Sequence, residues 1–136
     1  MFIERRMKRE PAQYITGEVE FMGLKLKVTP ATLIPRPETE LVVKEAVKAA
    51  SAYMRDKKKA LIIDLCTGSG CIAVAIAKEF RQALVCATDI SDPALKVAEE
   101  NALRNAVRER ITFLRGDLFA PFKESGLDVK ADMILS

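Results

Sequence analysis

Asp64, Asp89 and Asp117, with the glycine pair Gly68 and Gly70, are the residues whose types and spacing could do chemistry. Asp64 closes an apolar run and is followed by Cys66-Thr67-Gly68-Ser69-Gly70. Gly68 and Gly70 permit a tight turn and leave the backbone open to a ligand. A helix starting near Gly70 would aim its N–H groups and positive dipole end at that ligand. Asp64 could accept hydrogen bonds from a ligand ammonium or from the loop's own N–H groups. Asp89 closes the next apolar run, about 20 residues beyond Gly70, where an acid receives the ribose hydroxyls of a nucleoside. Asp117, in Gly116-Asp117-Leu118, follows a third run. There a carboxylate could accept the exocyclic amine of adenine, with Leu118 or Phe119 against the ring. A plain strand-to-helix turn would explain the glycines, a helix cap would explain Asp89, and an ordinary turn would explain Gly116-Asp117. All three together describe a pocket for an adenine nucleoside with a charged tail.

Two ligand classes fit that pocket. Gly68-x-Gly70-x-x-Ala73 satisfies the degenerate glycine pattern of nicotinamide cofactors, a weak signal by itself. A pyrophosphate would be repelled by Asp64, whereas the ammonium of an amino-acid tail would be attracted. Electrostatics therefore favours S-adenosylmethionine.

The elements that must position these residues are read from periodicity. Glu18 to Val28 alternates polar and apolar residues about Gly23, as a β-hairpin with one wet face. Thr29 to Pro37 carries three prolines and excludes regular structure. Pro37 suits the first turn of a helix to about Arg55, with the stripe Val42/Val43, Ala46/Val47, Ala49/Ala50 and Tyr53/Met54. Strands follow at Ala60–Leu65, Ala83–Thr88, Ile111–Arg115 and Ala131–Leu135. Helices lie at Gly70–Phe80 and Asp92–Asn105, the second capped by Asp92. Nearly continuous apolar strands separated by helices mean a parallel sheet covered on both faces. The fold class is α/β. The expected division is 1–36 as a linker with the hairpin and 37–136 as part of a nucleotide-binding domain.

Composition narrows the partners. Of 136 residues, 49% are hydrophobic and 30% charged, with a net charge of +3. That balance suits a water-soluble domain and gives no strong nucleic-acid signal. Lys57-Lys58-Lys59 reads as a solvated connection. No stretch reaches the roughly 20 apolar residues of a membrane span, and the charged N-terminus is not a secretory leader. Cys66, Cys71 and Cys86 contain no C-x-x-C pair, so no metal site is expected and a reducing cytoplasm is the natural setting. Cys71 and Cys86 read as small core hydrophobes. Histidine is absent, so any catalysis must use positioning, carboxylates or backbone groups.

Glu10-Pro11-Ala12-Gln13-Tyr14-Ile15-Thr16-Gly17 and Leu33-Ile34-Pro35-Arg36-Pro37-Glu38-Thr39-Glu40 resemble the HemK/PrmC family of release-factor glutamine methyltransferases. The resemblance continues through Asp64–Gly70, Asp89 and Asp117. It implies a Rossmann-like class I methyltransferase sheet, here about four parallel strands preceded by the hairpin. It also implies S-adenosylmethionine as cofactor and a peptide-chain release factor as protein substrate, methylated on the glutamine of a Gly-Gly-Gln motif. Asp64, Cys66, Thr67, Gly68, Ser69, Gly70, Asp89, Asp117 and Leu118 would serve the cofactor. Pro35, Arg36 and Pro37 would lie on the substrate side, although residue chemistry alone makes them a rigid start to a helix.

Two other enzyme readings stay open, an adenine-N6 methyltransferase of DNA or RNA and an NAD-type oxidoreductase. Cys66 stands where the family's loop usually begins with glycine, so the backbone there must accept a Cβ. The family's helical N-terminal domain is not in the sequence. Its Asn-Pro-Pro-Tyr motif, which grips the acceptor amide, is expected beyond Ser136. The chain thus reads as a fragment truncated at both ends, with no catalytic residue of its own. It is expected to be inactive alone and prone to associate through an exposed sheet edge.

Overall fold

In the computed structural model, which describes residues 1–126 and 129–136, short helices α1 (Phe2–Met7) and α2 (Ala12–Thr16) lead into a hairpin. Strands β1 (Glu18–Phe21) and β2 (Leu24–Lys27) pair antiparallel around Met22-Gly23. Both turn residues take positive φ, 51° and 72°, the twist that matches two right-twisted strands. An irregular proline-rich segment then reaches α3 (Pro37–Arg55). Beyond it strands and helices alternate: β3 (Ala60–Leu65), α4 (Cys71–Glu79), β4 (Ala83–Asp89), α5 (Asp92–Arg104), β5 (Ile111–Arg115), α6 (Ala120–Glu124) and β6 (Met133–Leu135).

The four later strands form one parallel sheet in the order β5-β4-β3-β6. The chain builds outward from β3 through β4 to β5, then crosses to the far side of β3. That reversal puts a topological switch point at the carboxyl end of β3, where open α/β sheets bind ligands. The glycine loop occupies that place.

Alternation along β3 sends Ile62 to one face and Ile63 and Leu65 to the other. The Ile62 face carries the larger core, with Val43, Ala46, Ala50 and Met54 of α3 and nearly all of α4. Helix α4 is apolar all round, and Cys71 to Ala77 are buried without interruption, as a helix enclosed on all sides requires. The hairpin adds Phe21 and Leu26 to the same core. The opposite face is thinner: its buried hydrophobic cluster among the described residues is Ile63, Leu65 and Phe122.

Several expectations change in detail. Helix α3 buries one column of the anticipated stripe, while Val42, Ala49 and Tyr53 face solvent. Ser91, not Asp92, caps α5: its hydroxyl accepts from the Ala94 N–H at 3.3 Å, and Pro93 falls in the first turn. Ser91 has the extended backbone that a cap needs, and Asp92 is already helical. Lys57 is not part of a merely solvated run, because its ammonium pairs with Asp132 and lies over the Tyr53 ring. Cys71 is buried and Cys86 half-buried. Helices α1, α2 and α6 have no counterpart in the sequence-based expectations.

Candidate functional site

The loop after β3 has an alternating left-handed backbone, with φ of 55° at Cys66, 56° at Gly68 and 79° at Gly70. Cys66 is the member that bears a side chain, and it holds this conformation with its thiol side exposed. A glycine would take the same geometry without strain. Gly70 has a second constraint: a Cβ there would stand 2.9 Å from the Ala98 Cβ and 3.1 Å from its Cα. Helix α5 thus presses directly on the loop, and only a residue without a side chain fits between them.

Hydrogen bonds fix the loop to the neighbouring strand ends. Thr67 N–H donates to the Thr88 carbonyl at 2.9 Å, and Gly70 N–H to the Thr67 carbonyl at 2.8 Å. Gly68 N–H donates to Asp89 Oδ2 at 2.9 Å, while Asp89 Oδ1 accepts from Ser91 N–H at 3.0 Å. Each Asp89 oxygen keeps acceptor capacity beyond its one bond. Gly116 N–H donates to the Asp89 carbonyl at 3.0 Å, tying the Asp117 turn to the same strand end. Asp117 and Leu118 themselves are exposed. The three strand ends named from the sequence therefore form one bonded unit.

Asp64 is fully enclosed, 1% exposed. Its Oδ2 accepts from the Thr67 hydroxyl at 2.6 Å and from Ala73 N–H, in the first turn of α4, at 3.1 Å. Its Oδ1 has no partner among the described residues. Burial pushes this carboxyl up to about 7, against the pull of its two donors. Of the two roles open to Asp64, the geometry gives it the inner one, holding the loop and the start of α4. The Cys66 thiol is pushed up by burial and then by the fields of Asp89, Asp117 and Asp64.

A cleft of about 240 Å³ separates the loop from the proline-rich segment. Leu33, Pro35 and Arg36 line one wall, and Cys66, Gly68 and Ser69 the other. Two of the three proposed substrate-side residues therefore border the cleft. Pro37 does not line it; it starts α3 and is exposed.

Two side chains of this region have roles that the sequence did not suggest. Asn101 is buried on α5, where its side-chain oxygen accepts from Lys27 N–H at 2.6 Å. Its amide donates to the Lys27 carbonyl at 2.9 Å and to the Ser69 carbonyl at 2.8 Å. The signal was present, since Ala94, Val97, Ala98, Asn101 and Ala102 form the inward stripe of α5 and Asn101 is its one polar member. Glu40, last residue of the proline-rich string, accepts from Met22 N–H at 2.9 Å and holds the hairpin tip. Among the described residues no group of three or more histidine, cysteine or acidic side chains could hold a metal ion. No helix among them is long and apolar enough to cross a membrane.

Comparison with known proteins adds three findings. The family model for Ribosomal protein L11 methyltransferase (PrmA) matches residues 42–136. A release factor glutamine methyltransferase from Thermodesulfovibrio yellowstonii is 46% identical over 122 residues, covering 90% of this chain and 43% of that protein. The chain spans less than half the length of the curated relatives it matches. Among solved structures, an RNA methyltransferase from Salinibacter ruber bound to S-adenosyl-L-homocysteine superposes with a TM-score of 0.52 at 26% identity. It covers 64% of this chain and 52% of that one. TYW2 of P. horikoshii in complex with MeSAdo gives a TM-score of 0.57 at 26% identity, over 74% and 35% of the two chains. The L11 model and the curated relative carry different substrates in their names. The L11 match begins after the hairpin and the proline-rich string, whereas an alignment over 90% of the chain takes in both.

Proposed function

We propose, for a chain that belongs to the PrmA methyltransferase family, the function of the HemK/PrmC release-factor glutamine methyltransferases, a reading supported by 46% identity to one such protein over 90% of this chain. The ends of β3, β4 and β5 bind S-adenosylmethionine, and the protein methylates a glutamine side-chain amide in the Gly-Gly-Gln motif of a peptide-chain release factor. The observation that carries this reading is the hydrogen-bonded junction of three strand ends at a left-handed glycine loop, with Asp89 bonded to the Gly68 N–H and its strand end tied to the Asp117 turn. Carboxylates at the ends of β4 and β5 favour a ligand with hydroxyls and an amine and disfavour a pyrophosphate.

When bound, S-adenosylmethionine supplies an electrophilic methyl group on a sulfonium. The backbone from Cys66 to Ser69 admits the amino-acid tail, because at Gly68 no Cβ stands in the way. Asp89 offers its remaining lone pairs to the ribose hydroxyls. Asp117 and Leu118 flank the adenine. Asp64 and Gly70 act one step removed, the first by bonding the loop from beneath and the second by letting α5 close on it. Pro35 and Arg36 border the acceptor side of the cleft.

An amide nitrogen is a poor nucleophile, its lone pair being delocalised, so the reaction depends chiefly on placing that nitrogen in line. The Asn-Pro-Pro-Tyr string assigned to that grip by resemblance is not among these 136 residues. Residues 1–136 are therefore expected to bind the donor without appreciable transfer. Methylation of a Gly-Gly-Gln peptide above background by these residues alone would contradict that. The three free cysteines fit a reducing cytoplasm. A thermal-shift assay tests the cofactor assignment: stabilisation by S-adenosylmethionine and not by NAD is expected, and the reverse would restore the oxidoreductase reading.

A further inference from the structure

We propose that Asn101 is a positioning residue that locks the glycine loop to the hairpin, so that order in one is coupled to order in the other. This rests on the donor-binding reading only for its ligand arm.

The side chain of Asn101 treats Lys27 as a neighbouring strand would, accepting from its N–H and donating to its carbonyl. The second amide hydrogen goes to the Ser69 carbonyl, inside the loop. One planar group, with no exposure to water, thus spans a strand of the hairpin and the loop. Each of these three backbone groups would lose a protein partner without it, and buried polar groups left unpaired are costly. The neighbouring contact points the same way: Ala98, one turn earlier on α5, closes on Gly70. Helix α5 therefore touches the loop at two successive residues, once by shape and once by hydrogen bonding. The hairpin's other ties, Met22 N–H to Glu40 at its far end and Asn105 to the Lys25 carbonyl, Glu100 to Lys27 and Arg104 to Glu18 along α5, do not touch the loop. The segment that forms the proline-rich wall leaves the hairpin at Lys27 and lines the cleft from Leu33 onward. A strand tied to the loop at Lys27 therefore fixes where that segment sets out relative to the loop.

Asparagine meets this need and aspartate does not. Asn101→Asp keeps the acceptor for Lys27 N–H but turns a carboxylate oxygen toward two carbonyl oxygens. Glu40→Gln is the comparison, since it acts on the hairpin tip and on the Lys44 ion pair, away from the loop. Amide hydrogen exchange is measured on the ligand-free protein and on each variant. Asn101→Asp is expected to speed exchange at Lys27, Gly68 and Gly70 together, whereas Glu40→Gln speeds it at Met22 alone. S-adenosyl-L-homocysteine is then added to the unaltered protein and is expected to slow exchange at Lys27. Its affinity for Asn101→Asp is expected to fall by about tenfold, the scale of one buried charge-disrupted contact.

Accelerated exchange at Lys27 with an unchanged loop in ligand-free Asn101→Asp would overturn the coupling. If that variant does not fold, the unaltered protein decides the matter: ligand binding without added protection at Lys27 overturns the proposal. Should S-adenosyl-L-homocysteine not bind at all, the donor-binding reading fails. The ligand-free exchange pattern, read on Asn101→Asp or on Asn101→Ser if the aspartate variant does not fold, then still supports or refutes the coupling.

Discussion

At the amino end of the central strand, Asp132 accepts from Leu61 N–H, the Tyr53 hydroxyl and the Lys57 ammonium. At the carboxyl end, Asp64 is enclosed with two neutral donors and one oxygen unpartnered. The first carboxyl is held down to about 2, by Lys57 first, then Tyr53 and the backbone. The second is raised to about 7 by burial. One strand thus ends in a settled ion pair on one side and an electrostatically unsatisfied group on the other. A carboxylate that only had to stabilise the fold would be placed like Asp132. Asp64 sits under the loop proposed to hold the donor, and perturbed carboxyls gather at such sites.

The largest expected effect comes from the loop end. Gly70→Val would drive a side chain into the Ala98 backbone at a φ of 79°. We expect a loss of about 3 kcal/mol in urea unfolding, with no measurable binding of S-adenosyl-L-homocysteine. Wild-type stability in that variant would mean that α5 does not close on the loop.

Asp89→Ala comes next and separates binding from folding. It removes the acceptor of Gly68 and Ser91 N–H and the proposed ribose contact. Calorimetry should show affinity for S-adenosyl-L-homocysteine about thirtyfold weaker. The fall in Tm should be smaller than for Gly70→Val, and unchanged affinity would remove Asp89 from the binding site.

The smallest effects sharpen the comparison directly, through opposite pH slopes. For Asp64 the folded pKa lies above the ordinary value of 3.8, so its contribution to stability is full below about 4 and is lost as pH rises to about 7. Asp64→Asn should flatten the stability profile between those limits. For Asp132 the folded pKa lies below 3.8, so its contribution is full above that value and is lost as pH falls toward 2. Asp132→Asn should lower Tm by about 5 °C near neutrality, with the deficit shrinking in acid. Affinity for S-adenosyl-L-homocysteine should stay within about twofold of wild type. Slopes of the same sign in both variants would dissolve the contrast.

The parallel strands, α3 to α5 and the hairpin were legible because each buries a face with a period of its own. Helices α1, α2 and α6 were not, being too short to complete a periodic stripe. Punctuation marked α2 nonetheless, since Pro11 precedes it and Gly17 ends it at a φ of 77°. That the loop, Asp89 and Asp117 lie together at strand ends was legible, because position along the chain fixes them relative to the strands. For Asp64 the sequence left two roles open, because only the packed fold decides whether a carboxylate faces ligand or backbone. Asn101 stood in plain view as a polar residue in an apolar stripe. Its partners, Lys27 and Ser69, lie far off in sequence, so its role needs the tertiary structure.

The most direct test of donor binding at the carboxyl end of the sheet is a titration of isotopically labelled protein with S-adenosyl-L-homocysteine, followed by amide resonances. Shifts are expected at Cys66 to Gly70, Asp89 and Asp117, with Leu61 and Asp132 unmoved. Absence of shifts at the glycine loop, or shifts centred on the Asp132 end, would contradict the assignment of this site.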